Sequence, residues 1–246
     1  MTDTWFEADW PAPPGIVAGC SYRHGGVSIG RFASLNLAGH VGDDTDAVTE
    51  NRRRLRAEVD LPAEPAWLQQ VHGAEVCREP TTVRPAQADA AITRRRGVVC
   101  AVLTADCLPV LVAAADGGEV AAAHAGWRGL CAGVLETVVG EMAVAPETLL
   151  AWLGPAISQA AYEVGPEVRA QFVDRDPRAA DCFVANQGGR WQADLYALAR
   201  QRLAEAGVRQ VFGGNRCTHA EADRFFSYRR DGQCGRMASF IFRRLN

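Results

Sequence analysis

The strongest constraint on this fold lies in one segment. Residues 97 to 115 form the longest apolar stretch of the chain, and three residues near its middle, Thr104, Asp106 and Pro109, interrupt it. A membrane span tolerates a carboxylate and a proline at its centre poorly. Two buried strands, Val98–Leu103 and Val110–Ala114, separated by a polar turn account for the pattern better. A chain that buries two consecutive strands on both faces must cover them with further layers, and the flanking sequence predicts those layers.

Glu119–His124 reads as a third strand, after which Gly126 opens a helix. In that helix Leu130, Val134, Val138 and Met142 repeat every four residues, with Cys131, Leu135 and Val139 beside them, giving one broad apolar stripe. Asp43 or Asp44 can cap an earlier helix running to about Val59. Trp67–Gln70 and Glu75–Cys77 read as short strands around a turn at His72–Gly73. Downstream, the pattern predicts strands at Leu149–Leu153, Val208–Phe212 and Ser239–Phe242, and helices at Pro166–Val173 and Asp194–Ala206. Several strand pairs are joined too tightly for parallel crossovers, so the expected fold is α/β with mixed sheets. No repeat or low-complexity linker divides the 246 residues, so the chain is expected to form a single domain.

Composition removes whole classes of function. All 26 basic Lys or Arg residues are arginine. Schiff-base chemistry on pyridoxal phosphate and P-loop nucleotide hydrolysis both need a lysine, so neither is available. A codon bias towards arginine explains the absence, yet any anion must still be held by arginine forks, backbone amides, histidine or a metal. The formal net charge of −3 gives no clustered basic field, so nucleic acid is not an expected partner. Eight cysteines follow an acidic start, Met1 to Trp10, that lacks an apolar signal core. Reduced thiols in a cytoplasm are therefore expected. No C-x-x-C pair supports a zinc ribbon or a thioredoxin-type centre.

The interruption Thr104-Ala105-Asp106-Cys107 also carries the first hint of chemistry. Asp106 could simply cap the turn and Cys107 could pack as a small hydrophobe. His124 shifts the balance, because it ends the next strand and precedes Ala-Gly-Trp-Arg-Gly. Adjacent strands can bring Cys107 to His124, and His72 lies in a turn upstream. One thiolate and two imidazoles form a three-ligand zinc site with a free position, the pattern of catalytic zinc. After His124, the helix start with Gly126, Gly129 and the fork of Arg128 offers a place for a phosphate or carboxylate. The Phe225–Gly232 stretch mixes aromatics with arginines and could stack a planar ring or pack in the core. His24 and His40 sit in glycine-rich loops without a spacing signal.

Seven ordered motifs resemble one family. They are Ser34-Leu35-Asn36-Leu37, Val41-Gly42-Asp43-Asp44, Gln70-Val71-His72-Gly73, Thr104 to Pro109, His124 to Gly129, Leu153 to Ile157 and Ser227 to Arg230. The resemblance is to the YfiH-like, laccase-domain purine nucleoside phosphorylases, formerly regarded as multicopper polyphenol oxidases, and runs from about Gly19 to the C-terminus. It implies a compact layered sandwich of paired sheets covered by helices, with about 18 peripheral residues at the N-terminus. It implies zinc held by His72, Cys107 and His124. It further implies phosphorolysis of adenosine, inosine and methylthioadenosine, together with deamination of adenosine.

For deamination, a metal-activated water would attack C6 of the purine, with Asp106 carrying the proton and Cys107 and His124 at the reacting centre. For phosphorolysis, Arg128 with the helix amides is the expected phosphate holder and Arg229 the second. Copper is not expected: a four-copper centre needs about ten histidines, and the chain has 5. Two other readings compete. Cys107 could be a nucleophile with His124 as its base in an amide hydrolase, as in relatives described as editing cell-wall precursors. Alternatively, the metal could merely stabilise a binding module.

Overall fold

The computed structural model describes residues 4–82 and 85–245. Its core is two sheets packed face to face, each covered on its outer side by helices. The first sheet joins the two ends of the chain: β1 (Trp5–Glu7), β2 (Ile16–Ser21), β13 (Met237–Arg243) and β5 (Val99–Thr104) run antiparallel in that order. The second has six strands in the order β12 (Gln210–Gly213), β8 (Leu149–Leu153), β6 (Leu108–Ala114), β7 (Val120–Ala125), β4 (Ala90–Thr93) and β3 (Val76–Arg78). Its two outer pairs, β12/β8 and β3/β4, are parallel and the rest antiparallel, which is the mixed sheet expected from the connection lengths. A small third sheet holds β9 (Glu163–Val164), β10 (Phe183–Ala185) and β11 (Trp191–Ala193).

Side-chain alternation assigns each face. On β5, Cys100 and Val102 point between the sheets, while Val99, Ala101 and Leu103 pack outward with Leu55 and Val59 of α1 (Thr45–Val59). On β6, Leu111 and Ala113 meet the first sheet, while Leu108, Val110, Val112 and Ala114 face the helices. Asp44 caps α1, its carboxylate accepting the Ala47 N–H at 2.9 Å. The second helical layer contains α2 (Trp127–Ala132), α3 (Val134–Glu141) and α5 (Leu195–Glu205), with α4 (Pro166–Val173) beside it. No helix among the described residues is long and apolar enough to cross a membrane.

The two strands of the apolar run at 97–115 lie in different sheets, β5 in the first and β6 in the second, so Ala105-Asp106-Cys107 carries the chain across the sandwich. Three expectations need correction. The helix after Gly126 is two helices, because Gly133 at φ 100° ends α2 and starts α3. The apolar stripe survives the break, and Leu130, Val134, Val138 and Met142 all remain in the core. Trp67–Gln70 makes only an isolated bridge, Gln69 to Gln87. Finally, the N-terminal segment is not peripheral, since β1 and the buried start of β2 complete the first sheet; residues 1–3 lie outside the described residues.

Candidate metal centre and cleft

The crossing between sheets builds the site. Asp106 adopts φ 88°, the left-handed turn that sends the chain from β5 to β6, and Cys107 emerges immediately before Leu108. The β6/β7 register pairs Pro109 with His124 and Leu108 with Ala125, so Cys107 and His124 sit side by side at one sheet end. His72 arrives from the turn before β3. The three ligand atoms all lie within 4.8 Å of one another, and the His72 and His124 rings approach edge to face with centroids 4.8 Å apart.

Asp89, fully buried, organises the imidazoles. Its Oδ1 lies 2.7 Å from His124 Nδ1 and accepts the His72 N–H at 2.9 Å, while Oδ2 accepts the Val71 and Gly73 N–H groups at 3.1 and 2.7 Å. With Nδ1 committed to Asp89, His124 is left with Nε2 as its free nitrogen. His72 stands at φ 62°, a conformation costing about 1–3 kcal/mol for a residue with a side chain. Three backbone bonds to one carboxylate, each contributing about 1.5–3 kcal/mol, outweigh that cost. Burial would raise the Asp89 pKa, but the bond to His124 and the backbone amides outweigh it and hold the carboxyl below its ordinary value.

The cysteine and histidine shift each other. Burial would push the Cys107 thiol up; the His124 charge and hydrogen bonds from His124 and His72 prevail and bring it down to about 6. Burial opposes a charged His124, but the Cys107 thiolate and Asp89 raise it to about 9. A soft thiolate between two imidazoles fits zinc. Gly126 keeps the space open: a Cβ there would stand 2.8 Å from Cys107 Sγ and 3.2 Å from His72 Cδ2. Among the described residues this is the one group of three or more His, Cys, Asp or Glu that could hold a metal.

The ligands face a cleft of about 410 Å3. Arg128 and Arg229, the two phosphate candidates, both line it. Arg128 is exposed, its guanidinium 4.4 Å from the Trp127 ring centroid. Arg229 stacks over Tyr162 at 5.2 Å and donates from Nη1 to the Glu163 carbonyl at 2.8 Å. Because α2 is only six residues long, its dipole adds little to the field of the two arginines. Both carboxylate oxygens of Asp106 are engaged: Oδ1 accepts from the Thr218 hydroxyl at 2.6 Å and Oδ2 from the Arg229 N–H at 2.7 Å.

The aromatics divide between core and cleft. Phe225 and Phe226 are fully buried, whereas Tyr162 and Tyr228 line the cleft. Burial pushes the Tyr162 phenol well above its ordinary value, so it remains a neutral donor. His40 joins the cleft rim, while His24 lies against Tyr22 with ring centroids 5.0 Å apart. Asp89 and Tyr162 were invisible to motif spacing. The only mark of Asp89 is an acid directly before the apolar run Ala90-Ala91-Ile92.

The molecule is therefore an α/β sandwich protein with a His/Cys/His centre where the chain crosses between its sheets. A family model described as multi-copper polyphenol oxidoreductase laccase matches residues 17–244, and the chain belongs to that family. It is 56% identical over 236 residues to the purine nucleoside phosphorylase YfiH of Escherichia coli strain K12, an alignment covering 95% of this chain and 96% of that protein. A purine nucleoside phosphorylase of Pseudomonas aeruginosa is 49% identical, with 98% of each chain covered. The crystal structure of a Neisseria meningitidis protein superposes with TM-score 0.94 at 48% identity, covering 98% of this chain and 99% of that one.

Proposed function

We propose that this protein is a zinc-dependent purine nucleoside phosphorylase that converts adenosine, inosine and methylthioadenosine to free base and sugar 1-phosphate, and that it also deaminates adenosine. One observation carries this reading: three ligands within 4.8 Å of one another open onto a cleft that also presents two arginines and two tyrosines. The names of the relatives at 56% and 49% identity support it.

His72, Cys107 and His124 would hold the zinc, which supplies Lewis-acid chemistry when bound. Asp89 keeps His124 in one tautomer and His72 in its strained turn. Arg128 and Arg229 hold phosphate, the first through its exposed fork and the second from a side chain braced on Tyr162 and Glu163. The rings of Tyr162 and Tyr228 offer flat faces to the purine. Asp106 is better suited to fixing Arg229 and Thr218 at the cleft wall than to carrying a proton, because either transfer would break a short hydrogen bond. A nucleoside and phosphate are the partners of such a site, with no nucleic acid and no membrane. Eight free cysteines fit a reducing cytoplasm. Residues 1–246 act as one domain, since β2 and β13, from opposite ends, pair in one sheet.

One observation favours a second reading, hydrolysis of an amide. Asp89, His124 and Cys107 bring an acid, an imidazole and a thiol together, with the thiol lowered to about 6, which favours a nucleophilic cysteine. Metal content separates the two. Protein purified without added metal should carry about one zinc per chain and lose nucleoside turnover on Cys107→Ala; metal-free protein with amidase activity that alkylation abolishes would replace the phosphorylase reading.

A further inference from the structure

Thr104 ends β5 at the floor of the cleft. It is 1% exposed, it lines the cleft, and its Oγ1 has no protein hydrogen-bond partner. The alternation of β5 places it on the face of Cys100 and Val102, between the sheets, beside the crossing that carries Cys107. A buried hydroxyl with no partner is a cost that valine, of nearly the same shape, would avoid.

Two polar side chains that line the same cleft, Asp106 and Gln70, are already committed. Both Asp106 oxygens are engaged by Thr218 and Arg229. Gln70 is pinned at both ends to the Leu103 backbone, donating to its carbonyl at 2.9 Å and accepting its N–H at 2.8 Å. Thr104 thus offers an uncommitted neutral donor and acceptor to this part of the cleft. The arginines suit an anion and the tyrosine rings suit a flat base, which leaves a neutral hydroxyl of the ligand as the matching group. Rotation about the Thr104 Cα–Cβ bond exchanges hydroxyl and methyl between staggered positions without moving the strand.

We propose that Thr104 hydrogen-bonds a ribose hydroxyl of the bound nucleoside and makes the site discriminate ribonucleosides from deoxyribonucleosides. This rests on the nucleoside reading above. A site that hydrogen-bonds a substrate hydroxyl rejects the analogue lacking it, because the buried partner is then left unpaired.

The test compares kcat/KM for adenosine, 2′-deoxyadenosine and 3′-deoxyadenosine in the wild type, Thr104→Val and Thr104→Ser, alongside thermal midpoints. Thr104→Val should lower kcat/KM for adenosine about tenfold or more, with a midpoint equal to or above wild type. Thr104→Ser should restore most of the activity. The loss should disappear for whichever deoxynucleoside lacks the partner hydroxyl. Wild-type kinetics in Thr104→Val would overturn the proposal, as would an equal loss on all three nucleosides. If Thr104→Val fails to fold, the same comparison is made with Thr104→Ala. Wild-type protein that turns over no nucleoside removes the parent reading as well, a failure visible before any variant is made.

Discussion

His124 Nδ1 and Asp89 Oδ1 are 2.7 Å apart, and the same Asp89 carboxylate receives three consecutive backbone amides from Val71 to Gly73. One buried side chain therefore fixes two of the three residues that could hold a metal, one through its ring and the other through its backbone. Removing it frees both at once.

Asp89→Ala is accordingly expected to weaken zinc binding by about ten- to a hundredfold, measured by competition with a chromogenic chelator. Asp89→Asn keeps the shape but loses one acceptor oxygen, so its affinity should fall between wild type and Asp89→Ala. Wild-type zinc affinity in both variants would show that the ligands hold their places without Asp89.

In metal-free protein, alkylation reports on the Cys107 thiol. Its pKa is lowered from 9.0 to about 6, so the thiolate is present above that value and is lost as pH falls through it. The alkylation rate of Cys107 should therefore rise with a midpoint near 6. Burial raises the Cys20 thiol to about 12 and lifts Cys100 further, which should leave both unreactive across the neutral range. A Cys107 midpoint near 9, read by mass spectrometry of the labelled peptide, would contradict the thiolate and imidazolium pairing.

Gly126→Ala tests the space reserved at the centre. The backbone at Gly126 has φ −62° and ψ 160°, which alanine adopts freely. The added Cβ would meet Cys107 Sγ at 2.8 Å. Zinc content should fall well below one per chain, while circular dichroism remains that of the folded protein. Full zinc occupancy would mean that the ligands can move aside.

The His72, Cys107 and His124 cluster, which could hold a metal, was legible in the sequence because each residue interrupts an apolar pattern: His72 in a turn, Cys107 just before one strand and His124 near the end of another. Asp89 was not, because its work is done through three backbone amides some 16 to 18 positions away, and backbone donors leave no sequence pattern. The crossing at Ala105-Asp106-Cys107 was legible only as a polar turn between two strands, because the pairing of β5 with the distant β13, which draws β5 into the other sheet, leaves no local pattern. The break at Gly133 was hidden because the apolar stripe continues on both sides of it. Tyr162 lies in an irregular segment, where periodicity carries no information.

The absence of lysine gives the phosphate assignment its control. Arg128→Gln should raise the KM for phosphate about tenfold or more, consistent with losing a charged hydrogen-bonding partner, with little change in KM for the nucleoside. Arg128→Lys keeps the charge but loses the fork, so it should recover only part of the effect. An unchanged KM for phosphate in Arg128→Gln would move the assignment to Arg229, where the same pair of substitutions can be read.

The central claim is that the cleft beside His72, Cys107 and His124 performs phosphorolysis, and product analysis of adenosine with and without inorganic phosphate tests it most directly. Adenine and ribose 1-phosphate should appear only when phosphate is present, with inosine forming in either case through deamination. Adenosine left intact under both conditions by zinc-loaded protein would contradict the claim.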